Sequence, residues 1–344
     1  MHEKEGDIVV ILHCNSTLHM PYQSPITCVM KDHHIPGLSL AVFHDQTVET
    51  IEWGIKNNLS EGPITSSTVF EAASLTKPLL AYLALKLCEK GVLELDRPLP
   101  QLEENLPPIT LRQILSHTAG FPTENRKVDD PLCLISPPGS CFAYSGEGYS
   151  YLGRVIEHLT KTPLASLTRE LVFEPLQMKE SSLIWEEKYT TQAASPHNRA
   201  GQPTEKWKPM LAIASFSLHT TASDFAKFMI EAKAFPEMSA INHQVNDSIG
   251  WGLGWGLEIM PDGKQAIWHS GDNGTFQCLA FQNEQTGFVI MTNSANGMKL
   301  YRGIFDLLIG GHHHPLFDWE QFDSRATEEI DEEFLANWWK IYGL

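Results

Sequence analysis

Apolar and polar positions change their spacing twice along the chain of 344 residues. In PGLSLAVFHDQTVETIEWG (36–54), two β-branched and aromatic runs flank a polar His-Asp-Gln step, which predicts a β-hairpin and the start of a sheet. From about residue 74 to 232 the spacing turns helical. Leu152, Val155, Ile156 and Leu159 fall at i, i+3, i+4 and i+7, and Thr221 with Asp224 makes a capping-box start ahead of Phe225, Phe228 and Met229. The Pro-rich stretches PLPQLEENLPP (98–108) and SPPGS (136–140) predict loops between these helices. Strand spacing returns in WGLGWGLEIMPDGKQAIWHSG (251–271), with Pro261-Asp262-Gly263 as the turn, and in FQCLAFQNEQTGFVIMTN (276–293). These runs predict three consecutive antiparallel strands.

Strands, then helices, then strands predict an α/β (α+β) architecture, with the antiparallel sheet drawn from both chain ends. The expected α/β lobe comprises residues 24–73 plus 245–344, and a mostly helical lobe, 74–244, is inserted between its halves. A crevice between the lobes is the expected active site. Residues 1–23 read as an N-terminal extension of uncertain structure. In the tail EEIDEEFLANWWKIYGL (328–344), Ile330, Phe334, Trp338, Ile341 and Tyr342 share one helical face. Packing onto the chain's own sheet is the expectation for that face, and contact with a partner subunit is the alternative.

Charge narrows the partners. Lys and Arg total 25 against 42 Asp and Glu, a formal net charge of −17 that repels nucleic acid and anionic membranes. The six cysteines, Cys14, Cys28, Cys88, Cys133, Cys141 and Cys278, form no CxxC pair and no zinc-ligand spacing, and their apolar surroundings predict buried, reduced thiols. MHEKEGDIVVILHC (1–14) lacks the length and flanks of a secretion signal, and no stretch reaches the roughly 20 apolar residues of a membrane span. A cytoplasmic protein is expected, with no cofactor. The histidines of GHHHP (311–315) point in divergent directions in a predicted surface loop, with no HExxH and no carboxylate at ligand spacing, so no metal is expected.

The stretch EAASLTKPLLAYLALK (71–86) carries the candidate chemistry. Residues three apart share a helix face, so Ser74 and Lys77 approach within hydrogen-bond distance. Pro78, which lacks an N–H, belongs near a helix start and keeps both in the first turn. A serine hydroxyl becomes a good nucleophile when a base takes its proton, and a lysine amine serves once its pKa falls towards neutrality. The helix N-terminus also offers the Ser74 N–H to an oxyanion. One Ser-x-x-Lys is expected by chance in a chain of this length, so its value rests on companions. Tyr144, just before a predicted helix, is positioned to act as a general base, and His269 with Gly271 in WHSG (268–271) closes a strand before a Gly-rich turn. His269 is expected to face the cleft as a donor, and Gly271 to let substrate backbone approach.

In this order, the three elements resemble the serine β-lactamase and penicillin-binding superfamily, most closely its class C-like branch of carboxylesterases, D-aminopeptidases and peptidases. From about residue 24 to 310, the segments IPGLSLAVF, VFEAASLTKPLLA, GVLELDRPL, ITLRQILSHTAGFP, YSGEGYSYLGRVIEHLTKTPL, LVFEPLQM, WGLGW and HSGDNGTF all read like that family's landmarks. The resemblance implies Ser74 as the acylated nucleophile, Lys77 as its proton partner, and Tyr144 as the base that also protonates the leaving group. It places His269 and Gly271 in the third motif and the backbone N–H groups of Ser74 and Asp272 in the oxyanion hole. SHTAG (116–120) reads as a structural landmark.

Two departures matter. Tyr144-Ser145-Gly146 stands where the family usually has Tyr-x-Asn, and His269 stands where β-lactamases and cell-wall enzymes carry lysine. The first removes an amide that contacts penicillin-like side chains, and the second removes a permanent charge for a substrate carboxylate. The expected function is therefore a serine hydrolase acting on a small-molecule ester, amide or peptide. A cell-wall D,D-peptidase or weak β-lactamase is the alternative, and a catalytically silent scaffold assembled through the tail is the reading from another class. Gly-x-Ser-x-Gly does not occur, which argues against an α/β-hydrolase.

Overall fold

The computed structural model describes residues 23–57, 62–123, 132–260, 263–310 and 313–320. The chain begins with α1 (Gln23–Asp32), the hairpin β1 (Gly37–His44) and β2 (Thr47–Gly54), and the short strand β3 (Phe70–Glu71). A 3₁₀ turn (Ala73–Leu75) then leads into α2 (Thr76–Glu89), followed by α3 (Leu111–Leu115), α4 (Gly146–Thr160) and α5 (Leu164–Thr168). A π-helical turn continues α5 through Phe173, ahead of α6 (Tyr189–Gln192), β4 (His219–Thr220) and α7 (Ala222–Ala232). The second half is mostly strand: β5 (His243–Gln244), β6 (Ile249–Trp251), β7 (Gly256–Ile259), β8 (Gln265–Asp272), β9 (Gln277–Gln282) and β10 (Gly287–Thr292). Helices α8 (Tyr301–Leu308) and α9 (Pro315–Glu320) follow.

Eight strands form one sheet in the order β2-β1-β10-β9-β8-β7-β6-β5, every neighbour antiparallel. Strands from both chain ends meet where β1 pairs β10, with Leu40 opposite Ile290. The expected mixture of helices with a sheet from both ends is what the chain folds into. The strand count from spacing was too low. FQCLAFQNEQTGFVIMTN is itself a hairpin, β9 and β10, and the Gly-rich WGLGW divides β6 from β7. A continuous apolar run buried on both faces hides the division of β6 from β7, because alternation fades when neither face meets water, whereas the polar NEQT (283–286) between β9 and β10 is a readable turn signal.

The sheet separates two apolar layers. Leu38, Leu40, Val42, Leu279, Phe281, Phe288 and Ile290 pack outward against α1, α8 and α9. Ala41, Phe43, Cys278, Ala280, Val289 and Met291 join the larger core with α2, α4 and α7. Side chains alternate along a strand, so Trp268 enters the outer layer while His269 and Gly271, opposite Ala280 and Cys278, face the helices.

Local expectations are refined in three places. Thr221 Oγ1 accepts the Asp224 N–H at 3.1 Å, but the Asp224 carboxylate takes Lys227, Ser181 and the Glu180 N–H, so α7 has half a capping box. A complete one forms between Thr110 and Gln113. Of the cysteines expected to be buried, Cys278 is, whereas Cys88 is half-buried and Cys28, Cys133 and Cys141 are exposed. Apolar neighbours in sequence do not decide burial when the segment is a loop or a helix's outer face. In GHHHP, His313 is exposed beside Asp318, but His314 is buried on Glu258 at 2.9 Å, a correction to the surface-loop reading of this histidine. Cys14, residues 1–22 and the tail 328–344 lie outside the described residues.

Candidate active site

The turn that carries Ser74 is pinned from several directions. Ala73 has φ +46°, a left-handed conformation that costs a non-glycine residue energy and persists where its surroundings enforce it. Here the Ala72 N–H donates to the Leu218 carbonyl, Thr76 Oγ1 donates to the Ala73 carbonyl at 2.7 Å, and the Leu218 N–H donates to Thr76 Oγ1 at 3.0 Å. Ser74 thus sits in the 3₁₀ turn immediately ahead of α2, and Lys77 and Pro78 fall in the first turn of α2 itself.

Lys77 is fully buried. Its Nζ donates to Ser74 Oγ at 2.9 Å and to the Ser215 carbonyl at 3.0 Å, and it lies 4.9 Å from the centre of the Tyr144 ring. Ser215 was not visible as a site residue in the sequence, because it acts through a backbone carbonyl and lies far along the chain. Tyr144 precedes Ser145, whose Oγ caps α4 by accepting the Gly148 N–H at 3.0 Å. Gly146 opens α4 and carries no side chain.

His117, from the SHTAG landmark, does more than hold a turn. Its ring is sandwiched between Tyr144 at 4.4 Å and Tyr149 at 5.1 Å, and Nδ1 accepts the Ser145 N–H at 3.0 Å. Burial, reinforced by the charge of Lys77, holds it well below the ordinary histidine range. His117 is therefore a neutral plate that fixes the orientation of Tyr144.

The third-motif strand closes the group. His269 lies with its ring 6.1 Å from Tyr144, and burial pushes its imidazole down to about 3, with the Lys77 charge adding to the effect. A carbonyl accepts only, so the 2.7 Å contact with the Ser270 oxygen places the His269 proton on Nδ1. The neutral ring consequently offers Nε2 as an acceptor, which corrects the expectation of a donor. Gly271 also packs closely: a Cβ there would stand 2.3 Å from the Ala72 carbonyl, so its missing side chain lets β8 press against the Ser74 turn. Asp272, next along β8, pairs with Gln277 on β9. Among the described residues no group of three or more His, Cys, Asp or Glu could hold a metal ion, and no helix is long and apolar enough to cross a membrane.

Burial of these histidines predicts acid lability. His269 at about 3 and His219 at about 4, the latter lowered by burial, take up protons on unfolding but not in the fold. Stability is then lost as pH falls from about 6.5 towards 3, by several kcal/mol in sum. Glu71, which burial pushes up to about 8, acts in the opposite sense but is outnumbered. Melting temperatures measured from pH 7 to pH 4 are expected to fall steadily, and a flat profile would contradict the assignment.

A serine, a buried lysine and a tyrosine thus converge from a helix start and a helix-capping loop. The model of the beta-lactamase family matches residues 24–309. The chain belongs to that family. Among curated relatives, it is similar to penicillin-binding protein 4 of Amycolatopsis lactamdurans, 26% identical over 238 residues covering 61% of this chain and 62% of that protein. A beta-lactamase of Pseudomonas fluorescens is 25% identical over 222 residues, 60% of this chain and 62% of the relative. The chain thus spans under two thirds of the length of these relatives. The fold of this family member is likewise that of a solved beta-lactamase/D-alanine carboxypeptidase from Pseudomonas syringae, with a TM-score of 0.74 at 17% identity, covering 85% of this chain and 98% of that one. It is also that of the octameric penicillin-binding protein homologue from Pyrococcus abyssi, with a TM-score of 0.72 at 21% identity, covering 87% and 79%.

Proposed function

We propose that the protein is a serine hydrolase that cleaves a small ester or amide through an acyl-enzyme on Ser74. The observation that carries this reading is the buried Lys77, held on Ser74 Oγ at 2.9 Å with the Tyr144 ring over the same ammonium. Tyr144, oriented by His117, takes the Ser74 proton as Oγ attacks the acyl carbon, with Lys77 as its electrostatic and proton-transfer partner. The proton then passes to the leaving group. Backbone N–H groups of Ser74 and Asp272 receive the oxyanion, and water repeats the sequence to release the acid. Substrate enters a crevice between the α/β lobe (24–73 with 245–344) and the helical lobe (74–244).

The names of the relatives favour a D,D-carboxypeptidase or β-lactamase as the second reading. A neutral His269 and the side-chain-free Gly146 weigh against it, since neither supplies the charge or amide such substrates meet in this family. A panel of short and long p-nitrophenyl esters, D-amino-acid amides and a chromogenic cephalosporin, each run against Ser74→Ala, separates the readings. Ester or amide turnover is expected to fall by at least about a thousandfold in the variant. Cephalosporin turnover well above ester turnover would favour the second reading, and activity that survives Ser74→Ala would reject both.

A further inference from the structure

Three segments that converge on Ser74 meet at one buried carboxyl group. Glu71, on β3 three residues before Ser74, is only 6% exposed. Its Oε2 accepts from Asn273 Nδ2 at 2.7 Å, and the Trp207 backbone also hydrogen-bonds the carboxyl. The Asn273 amide has no freedom to turn away, because Oδ1 already accepts the N–H groups of Phe276 at 2.8 Å and Thr275 at 3.2 Å. Asn273 directly follows Asp272, and the segment that contains Trp207 runs on to Ser215, whose carbonyl holds Lys77.

Resting on the reading of Ser74 as nucleophile, we propose that Glu71 is a positioning residue: through Asn273 and the Trp207 backbone it sets the spacing between the Ser74 turn, the oxyanion side at Asp272 and the Ser215 segment. It touches neither substrate nor the reacting atoms. Both partners donate to Glu71, so ionisation strengthens the tie, whereas burial opposes ionisation and moves the group to about 8. The titratable groups facing it are His219, its register partner on β4, and Cys278 on β9, whose thiol the Asp272 carboxylate on β8 also influences. Burial keeps His219 neutral and pushes the Cys278 thiol far up, so neither titrates between pH 6 and 10. Glutamine at position 71 would turn an N–H₂ towards one of the two donors and lose that bond.

The test compares wild type, Glu71→Gln and Asn273→Ala by the rate of fluorophosphonate labelling from pH 6 to 10 and by amide hydrogen exchange at residues 274–276. Both variants are expected to label about a hundredfold more slowly, the Glu71→Gln profile to lose the wild-type inflection near pH 8, and exchange at 274–276 to rise at least about tenfold. The double variant is expected to be no slower than the worse single one, because both remove the same tie. Should Glu71→Gln fail to fold, Asn273→Ala carries the same readouts. Wild-type labelling that survives Ser74→Ala would defeat the functional reading, and the exchange result would still decide the positioning role. Wild-type labelling rate and pH profile in both variants, or unchanged exchange at 274–276, would overturn the proposal.

Discussion

Replacing Lys77 with methionine is expected to slow acylation of Ser74 by at least about a thousandfold without unfolding the protein. The side chain is completely enclosed, and its Nζ donates to Ser74 Oγ and to the Ser215 carbonyl. Methionine fills nearly the same volume with no charge to desolvate, and replacing a buried charge by an apolar side chain is commonly neutral or stabilising. A Ser215 carbonyl left without its partner costs about 1–3 kcal/mol in return. Chemistry and stability are thus expected to part company, with labelling lost while the melting temperature moves by a few degrees at most, either way. Arginine would not rescue, because its planar fork is larger and cannot reproduce a single-point contact within this enclosure. Labelling kinetics and melting curves on the two variants check this, and Lys77→Met labelling within tenfold of wild type would remove Lys77 from the proton-transfer pair.

Tyr144→Phe is expected to reduce the acylation rate by about 10²–10⁴, the range of a lost general base. The ring would keep its stack on His117 at 4.4 Å and its place over the Lys77 ammonium at 4.9 Å, so only the hydroxyl is removed. The loss should fall on kcat and kcat/KM together, with KM little changed, since the hydroxyl is engaged in the transition state more than in substrate binding. Acylation at the wild-type rate would instead make Lys77 the base and Tyr144 a packing residue. His117→Phe offers the complementary comparison: it keeps an aromatic plate but loses the acceptor for the Ser145 N–H, and so unsettles the loop that carries Tyr144.

Ser74 and Lys77 were legible as neighbours because the relation between them is local: three residues on a helix start determine it, and Pro78 marks where the helix starts. Tyr144 could be placed because a helical pattern follows it. The contributions of Ser215 and His117 were not legible for a different reason. Ser215 meets Lys77 through a backbone carbonyl 138 residues away in sequence, so its own side chain carries no signal. His117 bears a recognisable landmark, but its sandwich between Tyr144 and Tyr149 forms only when α4 packs beside it. The proton position on His269 depends on the Ser270 carbonyl in the same strand, and no spacing rule reports it. Likewise, the close packing of Gly271 was not legible, because its neighbour in space, the Ala72 carbonyl, lies far earlier in the chain. The sheet followed the same division. The β1–β2 hairpin was visible at its polar turn, the division inside the doubly buried WGLGW run was not, and the polar NEQT turn between β9 and β10 was legible but went uncounted.

The central claim is that Ser74 becomes covalently acylated with Lys77 as its partner. Intact-protein mass spectrometry after brief exposure to a fluorophosphonate, with peptide mapping of the adduct, tests it directly. One adduct per chain is expected, located on Ser74, absent from Ser74→Ala and strongly slowed in Lys77→Met. An adduct on another residue, or one that forms equally in Ser74→Ala, would contradict it.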